Sequence, residues 1–363
     1  MVNQNTSPLA PAISVIIPMY NAQKYIGACL EVILHQTFQD FEVIVVDDCS
    51  TDDSYNVVEN FIPNFGGRLK LFQTKRNSGG PGEPSNLGVS LSRGKYIYVI
   101  DNDDLLVANA LEVFYNYAEE FNADVVYADR GFRFEANDEK LFPTGEDLIF
   151  APWQGKEPTL NEPTIEPEDI AERVGIFCRE EIGWTAWEKF VRRDLLIENN
   201  ITFPIINSSA DVAWTIEILC CAKKILRIPN PLYIYRENPD SITRQSRDTR
   251  QQAKFWMEIN IKGLKFLDDW LSNVKFFQEN PNYKWDLLEM FSHIHFRCIE
   301  KLFYTIPPQE IYEISKACFK ETFQESSLIA YLLTSLNFFE WRWMLTSGRV
   351  LELEDQLKQI QGG

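Results

Sequence analysis

Between Ile13 and Tyr127 the chain alternates short β-branched or aromatic runs with stretches of helical spacing, and no other feature restricts its fold as strongly. Ser14-Val15-Ile16-Ile17, Val43-Ile44-Val45-Val46, Leu69-Lys70-Leu71-Phe72, Ile97-Tyr98-Val99-Ile100 and Val125-Val126-Tyr127 read as strands. Between them Ile26, Cys29, Leu30 and Ile33 recur at helical spacing, as do Leu111, Phe114 and Ala118. Ser50-Thr51-Asp52-Asp53 reads as a helix start ahead of Val57, Val58 and Phe61. Parallel neighbours need a crossover, which a helix supplies, so this order predicts an α/β fold with a mostly parallel sheet covered on both faces. In such sheets ligands bind beyond the carboxyl ends of the strands, so the residues just after each strand are the ones to inspect.

Further along, residues 132–161 are rich in Pro, Gly and acidic side chains and read as loop, and helical patterning resumes at Ile170 to Ile176 and Asp211 to Ala222. After Thr249 the chain changes character: long helical stretches carry Trp256, Trp270, Trp285, Phe291, Trp341 and Trp343, with few strand signals. The expected division is a flexible tail over 1–11, an α/β domain over 12–248 with halves 12–130 and 131–248, and a helical module over 249–363. Within that module the stretch Leu328 to Leu345, with Phe338 and Phe339, is a candidate for docking on a partner or a membrane interface, or for packing on its own domain. The C-terminal helices are also the candidate surface for a homo-oligomer.

Charge narrows the partners. With 35 basic and 53 acidic residues the formal net charge is −18, which argues against nucleic acid and against broad attraction to an anionic membrane. A nucleotide remains compatible, because a metal ion can reverse the field locally. The seven cysteines form no Cys-x-x-Cys pair and sit mostly in apolar runs, so they are expected to be reduced thiols of a cytoplasmic protein. The N-terminal residues lack a basic and apolar signal pattern, and no run reaches the ~20 apolar residues of a membrane span, leaving peripheral contact at the inner membrane face as the membrane option.

Polar clusters follow the strands: Pro18-Met19-Tyr20-Asn21, Asp47-Asp48-Cys49-Ser50, Gly79-Gly80-Pro81-Gly82 through Asn86-Leu87-Gly88, and Asp101-Asn102-Asp103-Asp104. Singly each is a turn or a helix cap; together at one sheet edge they describe a site. The closely spaced carboxylates of the last cluster repel one another unless a cation or solvent relieves them. Oxygen ligands suit Mg²⁺ or Mn²⁺, which bridges carboxylates to phosphates, and departure of a nucleoside diphosphate is a reaction that needs such an ion. The alternative is a solvated acidic turn capping a helix after Leu105.

These motifs in this order resemble glycosyltransferase family 2: S-V-I-I-P-x-Y-N, D-D-x-S-T-D, N-x-G-x-P-G with N-x-G, and G-K-Y-I-x-x-I-D-x-D-D across Ile13 to Asp104. A second block, Trp187-Glu188-Lys189 through Phe203, Asp211 and Tyr235-Arg236 to Ser241-Ile242-Thr243, is similar to the family's downstream half. The resemblance implies a GT-A, Rossmann-like fold and an inverting transfer from a nucleoside-diphosphate sugar, UDP-linked first, to a glycan or lipid-linked acceptor in surface glycan or polysaccharide biosynthesis. It implies a nucleotide-binding first half and an acceptor second half. Tyr20, with Pro18 and Asn21, would line the base pocket; Asp47 or Asp48 would bond the base or ribose, with Asn102 among the nucleotide contacts. Asp101 would lie near ribose and metal, Asp103 would bind Mn²⁺ or Mg²⁺, and Asp211 would be the general base.

Departures from the pattern are Cys49 in place of a usual Gly, Glu83-Pro84-Ser85 where small residues and an arginine usually precede Asn86, and Ala210 in place of a usual Glu. Asp211 also fits the start of a helix, whose dipole would lower its pKa unless burial offsets it; Glu180, Glu181 and Glu188 are the rival bases. Arg236, Arg244, Arg247 and Arg250 form a basic group that suits a phosphate or a solvated helix approach, and Trp184 and Trp187 suit either an acceptor sugar or the core. A catalytically silent module that binds a nucleotide sugar or a partner is the competing reading. A nucleotidyltransferase is disfavoured, because no Lys- or Arg-bearing Gly-rich loop follows the first strand.

Overall fold

The computed structural model describes residues 10–134, 142–143, 148–152, 161–238, 241–299, 302 and 305–322. Residues 1–9 of the expected tail, much of 132–161 and the stretch 328–345 with Trp341 and Trp343 lie outside the described residues. The chain divides into two compact units between Gln245 and Ser246.

The first unit carries strands β1 (Ile13–Met19), β2 (Phe41–Asp47), β3 (Leu69–Gln73), β4 (Tyr96–Val99), β5 (Leu105–Leu106), β6 (Val125–Ala128), β7 (Arg130–Phe134), β8 (Ile149–Pro152), β9 (Thr164–Ile165), β10 (Lys189–Arg192), β11 (Ile225–Ile228) and β12 (Tyr233–Arg236). Its helices are α1 (Ile26–Leu34), α2 (Ser54–Phe61), α3 (Gly82–Leu91), α4 (Ala110–Glu120), α5 (Ile170–Cys178), α6 (Arg193–Glu198) and α7 (Ala210–Cys221). The large sheet runs β3-β2-β1-β4-β10-β6-β11-β9. β3, β2, β1 and β4 are parallel, as the alternation predicts, and β11 is parallel to β6. The exceptions are β10, antiparallel between β4 and β6, and the edge strand β9.

Every residue of β1 and β2 is buried, the pattern of strands covered on both faces. On one face Ile13, Val15 and Ile17 pack with Val43, Val45, Tyr98 and Phe190 against Ile26, Cys29, Leu30 and Ile33 of α1 and Leu111, Phe114 and Ala118 of α4. Phe114 and Phe190 stack with centroids 5.5 Å apart. On the other face Ile16 abuts Gly88 of α3 so closely that a methyl group at Gly88 would overlap it.

A smaller sheet, ordered β5-β12-β7-β8, takes up part of the sequence expected to be loop: β7 runs into it and β8 lies inside it. Leu105 and Leu106 pair with Ile234 and Tyr233, and α4 starts only at Ala110, so the Asp101–Asp104 turn leads into a strand and does not cap a helix directly after Leu105. That pairing places β12 directly behind the Asp101–Asp104 turn.

The second unit contains α8 (Thr249–Ser272), α9 (Lys275–Glu279), α10 (Pro281–Ile299) and α11 (Pro308–Thr322) among its described residues. Asp248 and Gln251 form a reciprocal capping box at the start of α8. Gly263 lets α8 meet the ring of Phe291 on α10, and Asn260 donates to Ser292 at 3.2 Å across the same contact. No helix among the described residues is long and apolar enough to cross a membrane.

Candidate active site

Register builds the first half of the site. Met19 pairs with Asp47 and Ile16 with Val99, so β1, β2 and β4 finish side by side and deliver Tyr20, Asp48 and Asp101 to one sheet edge. Tyr20 is 47% exposed, open enough for its ring to receive a planar base. Asn21, at φ 48°, accepts from the Thr51 N–H at 2.8 Å, while its own N–H donates to Ser50 Oγ at 2.9 Å. Its side chain therefore ties the β1–α1 loop to the β2–α2 loop.

Asp47 and Asp48 are both buried and their carboxylates are heavily engaged. Asp47 accepts from the Ser50 N–H and, at 2.7 Å, from Gln73 Nε2. Asp48 accepts from Thr74 Oγ1 at 2.8 Å and from the Ser78 N–H and Oγ at 2.9 Å each, which fixes the approach to α3. Cys49, standing where the pattern usually has Gly, has a left-handed φ of 59°, so the turn carries a side chain in a conformation glycine tolerates better.

Beyond β4 the side chains of Asp101, Asp103 and Asp104 each offer an oxygen within 4.8 Å of the others. Asp104 is the buried member and is committed elsewhere: it accepts from Tyr233 OH at 2.6 Å and from the Arg236 N–H at 2.7 Å. Asp103 accepts from Asn238 Nδ2 at 2.7 Å, and the Arg236 guanidinium donates to its carbonyl oxygen. Asn102 donates to the Pro18 carbonyl at 2.8 Å, bracing the turn against β1. Burial, then the charges of Asp103 and Asp211, push the Asp101 carboxyl up to about 8. Carboxylates so crowded hold protons unless a cation replaces them, and an all-oxygen set with Asp101 and Asp103 partly open to solvent fits a hard divalent ion.

Asp211 lies in the first turn of α7, behind Ser209, whose φ of 58° is left-handed and whose side chain makes no cap. The backbone N–H groups of Asp211 itself, Ala186 and Val212 lie around the carboxylate and favour its ionised form. The helix start and burial pull in opposite directions, and burial prevails: it raises the pKa to about 6, although Lys189 and those N–H groups oppose the rise. Among the rivals, Glu181 is exposed and paired with Arg179 at 2.8 Å, and Glu180 is only partly buried. Glu188 is buried and pushed up to about 7 by that burial, with Lys189 opposing and Asp211 adding to it. Electrostatic coupling of Asp211 to both Asp101 and Glu188 means that these carboxylates share one neighbourhood.

The arginines do not act as one group. Arg236 is buried, with its guanidinium 4.9 Å from the Tyr25 ring centre and turned onto the acidic turn, so it is a structural tie. Arg244 donates to the Asn238 carbonyl at 3.2 Å, Arg247 covers the Phe255 ring at 3.9 Å, and Arg250 pairs with Glu310 at 3.4 Å. Trp187 is in the core, stacked on Tyr233 at 4.3 Å. Tyr233, Asn238 and Lys189 are site residues that no pattern of their own marks in the sequence; Lys189 and Asn238 fall within the Trp187-Glu188-Lys189 and Tyr235-to-Thr243 motifs, and Tyr233 lies two residues before the latter.

Residues 14–177 match the family described as Glycosyl transferase family 2. The chain is similar to Glycosyltransferase GlyG of Streptococcus pneumoniae, 30% identical over 250 residues that cover 66% of this chain and 75% of that protein. It is similar also to the poly(ribitol-phosphate) beta-N-acetylglucosaminyltransferase TarP of Staphylococcus aureus, 36% identical over 252 residues, 68% of this chain and 70% of that one. Among solved structures, S. aureus TarS in complex with UDP-GlcNAc superposes with a TM-score of 0.65 and 20% identity, covering 93% of this chain and 91% of the other. At that identity the likeness concerns the fold.

Proposed function

This chain belongs to glycosyltransferase family 2 and is a glycosyltransferase of GT-A fold, and from that premise we propose an inverting enzyme that moves a sugar from a UDP-sugar to a hydroxyl of a growing glycan. The observation that carries the reading is that Asp211, at the start of α7, lies close enough to Asp101 beyond β4 for its charge to act on that carboxyl, with Asp103 beside Asp101. One group suits proton removal from an acceptor and the other suits a diphosphate with its cation. The TarP relative's activity, stated in its name, supports N-acetylglucosamine as the first sugar to try and a polyol-phosphate polymer as the first acceptor.

In this reading the uridine base rests on Tyr20 beside Pro18, with Asp47 and Asp48 shaping the wall through the bonds that hold the β2–α2 and β3–α3 loops. Asp103 and Asp101 would hold Mn²⁺ or Mg²⁺, which when bound neutralises charge on the departing diphosphate. Asp211 accepts the proton of the acceptor hydroxyl as that oxygen bonds to the anomeric carbon. The bond from that carbon to the diphosphate oxygen breaks on the opposite side, its electron pair leaving with UDP, and the anomeric configuration inverts. With its pKa raised to about 6, Asp211 is ionised at neutral pH yet more basic than an ordinary aspartate, which suits the task.

The test is transfer from a panel of UDP- and GDP-sugars with Mn²⁺, with the anomeric configuration of the product read by NMR. A product of inverted configuration from one UDP-sugar is expected. A retained configuration, or nucleotide-sugar binding without transfer to any hydroxyl acceptor, would overturn the proposal; the second outcome would favour a binding module.

A further inference from the structure

We propose that Lys189 is a positioning residue for Asp211, acting through the turn Gly183–Ala186; this rests on Asp211 being the base. Lys189 opens β10 in the middle of the large sheet and is 1% exposed. Its ammonium group donates to the carbonyl oxygens of Gly183 and Thr185, at 2.7 Å each. Toward Glu188 its Nζ is 3.6 Å from Oε2. The carbonyl between those two, that of Trp184, accepts from Thr215 Oγ1 at 2.9 Å, one turn along α7 from Asp211. Each carbonyl from Gly183 to Thr185 is therefore held by a buried side chain, and the next N–H, that of Ala186, is near enough to the Asp211 carboxylate to favour its ionised form. Glu188 packs so tightly under the turn that a methyl group at Gly183 would overlap its carboxylate.

A turn normally leaves its carbonyls to water, whereas this one is spanned by a cation whose burial is costly and which an apolar chain of similar size could replace with less penalty. The arrangement has a use if the turn must stay still. A displaced Ala186 would move a backbone dipole away from the base and loosen the wall beside it, and orientation within a fraction of an ångström decides proton-transfer rates. The charge acts as well. Lys189 on β10 faces Asp211 together with Glu188, just before β10, and Asp101, beyond β4; among these three Lys189 alone favours the ionised carboxylate.

The experiment uses the full chain with Lys189→Met, Thr215→Val, Asp211→Asn and the Lys189→Met/Asp211→Asn pair. In Lys189→Met, kcat should fall about 10–100-fold with donor KM within about twofold, and the acid limb of kcat should move up by about one pH unit as the charge that favoured the carboxylate is lost. Thr215→Val keeps that charge, so it should lower kcat by about 10-fold and leave the limb in place. In the Asp211→Asn background Lys189→Met should cost no further turnover. A parental kcat and limb in Lys189→Met, or a full additional loss in the double variant, overturns the proposal. If Lys189→Met does not fold, a parental kcat in Thr215→Val overturns it and the predicted loss supports it. Parental turnover in Asp211→Asn removes the base itself, and the proposal with it, whatever Lys189 does.

Discussion

Asn86 and Phe203 exchange two hydrogen bonds of 2.8 Å across 117 residues of sequence: the amide nitrogen of Asn86 donates to the Phe203 carbonyl and its amide oxygen accepts the Phe203 N–H. The side chain thereby supplies the pairing a neighbouring strand would. Gly80 and Gly82 press on the same segment so closely that a methyl group at either would overlap the carbonyl of Ile206 or Pro204. The loop after β3, which belongs to the donor side, is thus clamped to the segment that leads into α7 and Asp211.

Breaking that clamp has a predictable cost. Asn86→Ala leaves two partly buried backbone groups of Phe203 without partners, and stability should fall by about 2–4 kcal/mol. Urea unfolding with an unchanged slope is the measurement, and a midpoint equal to the parent's would mean that water replaces the amide without penalty.

Metal should be read through nucleotide. Asp103→Ala relieves crowded charge, so the fold should persist, while Mn²⁺-dependent binding of UDP measured by calorimetry should disappear. Binding as tight as the parent's with Mn²⁺ present would take the ion away from Asp103.

The same crowding makes the ion-free protein sensitive to pH in a stated direction. Asp101 holds its proton up to about 8 when folded, but an unfolded aspartate releases it near 4, so between those values the folded form binds more protons and stability declines as pH rises. Asp101→Asn removes that contribution. In EDTA its melting temperature should exceed the parent's at pH 8 and fall less steeply from pH 5 to pH 8; parallel curves would contradict the shift.

Asp211→Asn separates chemistry from helix capping. Asn caps about as well as Asp, so a residue that only caps would lose little. A base cannot be replaced by an amide, and transfer should fall by about 10²–10⁴-fold with donor affinity unchanged. In the parent, kcat should drop below a pH near 6, where Asp211 takes up a proton. Turnover alongside donor affinity at one Mn²⁺ concentration decides between the roles.

Glu42 has the opposite sign. Burial would raise its pKa, but Lys70 at 2.8 Å, the Arg93 N–H at 2.8 Å, Ser14 Oγ at 2.9 Å and the Arg93 guanidinium together hold it below the usual glutamate range. Its stabilising contribution is present above the unfolded pKa near 4.5 and is lost as pH falls through the lower folded value. Glu42→Gln should be less stable than the parent at pH 7, and the gap should narrow as the pH is lowered below 4.5. A gap that stays constant down to pH 3 would rule out this linkage.

How much of this was legible beforehand follows from how local each signal is. The strands around Val15, Val45 and Tyr98 and the helix faces of Ile26 and Phe114 were readable because a strand or helix writes its burial into neighbouring positions. The Asp101–Asp103 spacing was readable for the same reason, since crowding within one turn needs no other segment. β10 was not: its first three residues are all buried and carry no alternation, and the antiparallel slot between Tyr98 and Val126 is set by partners far away in sequence. In sequence Arg236 belongs to a basic group that suits a phosphate or a solvated helix approach; β12 pairing turns it onto the acidic turn instead. For Asp211 the sequence determined a carboxylate at a helix start, with a dipole that favours its ionised form. Only the tertiary structure decided that burial outweighs that dipole, because desolvation depends on the segments folded around the group, here Ala186, Lys189 and the turn beyond β4.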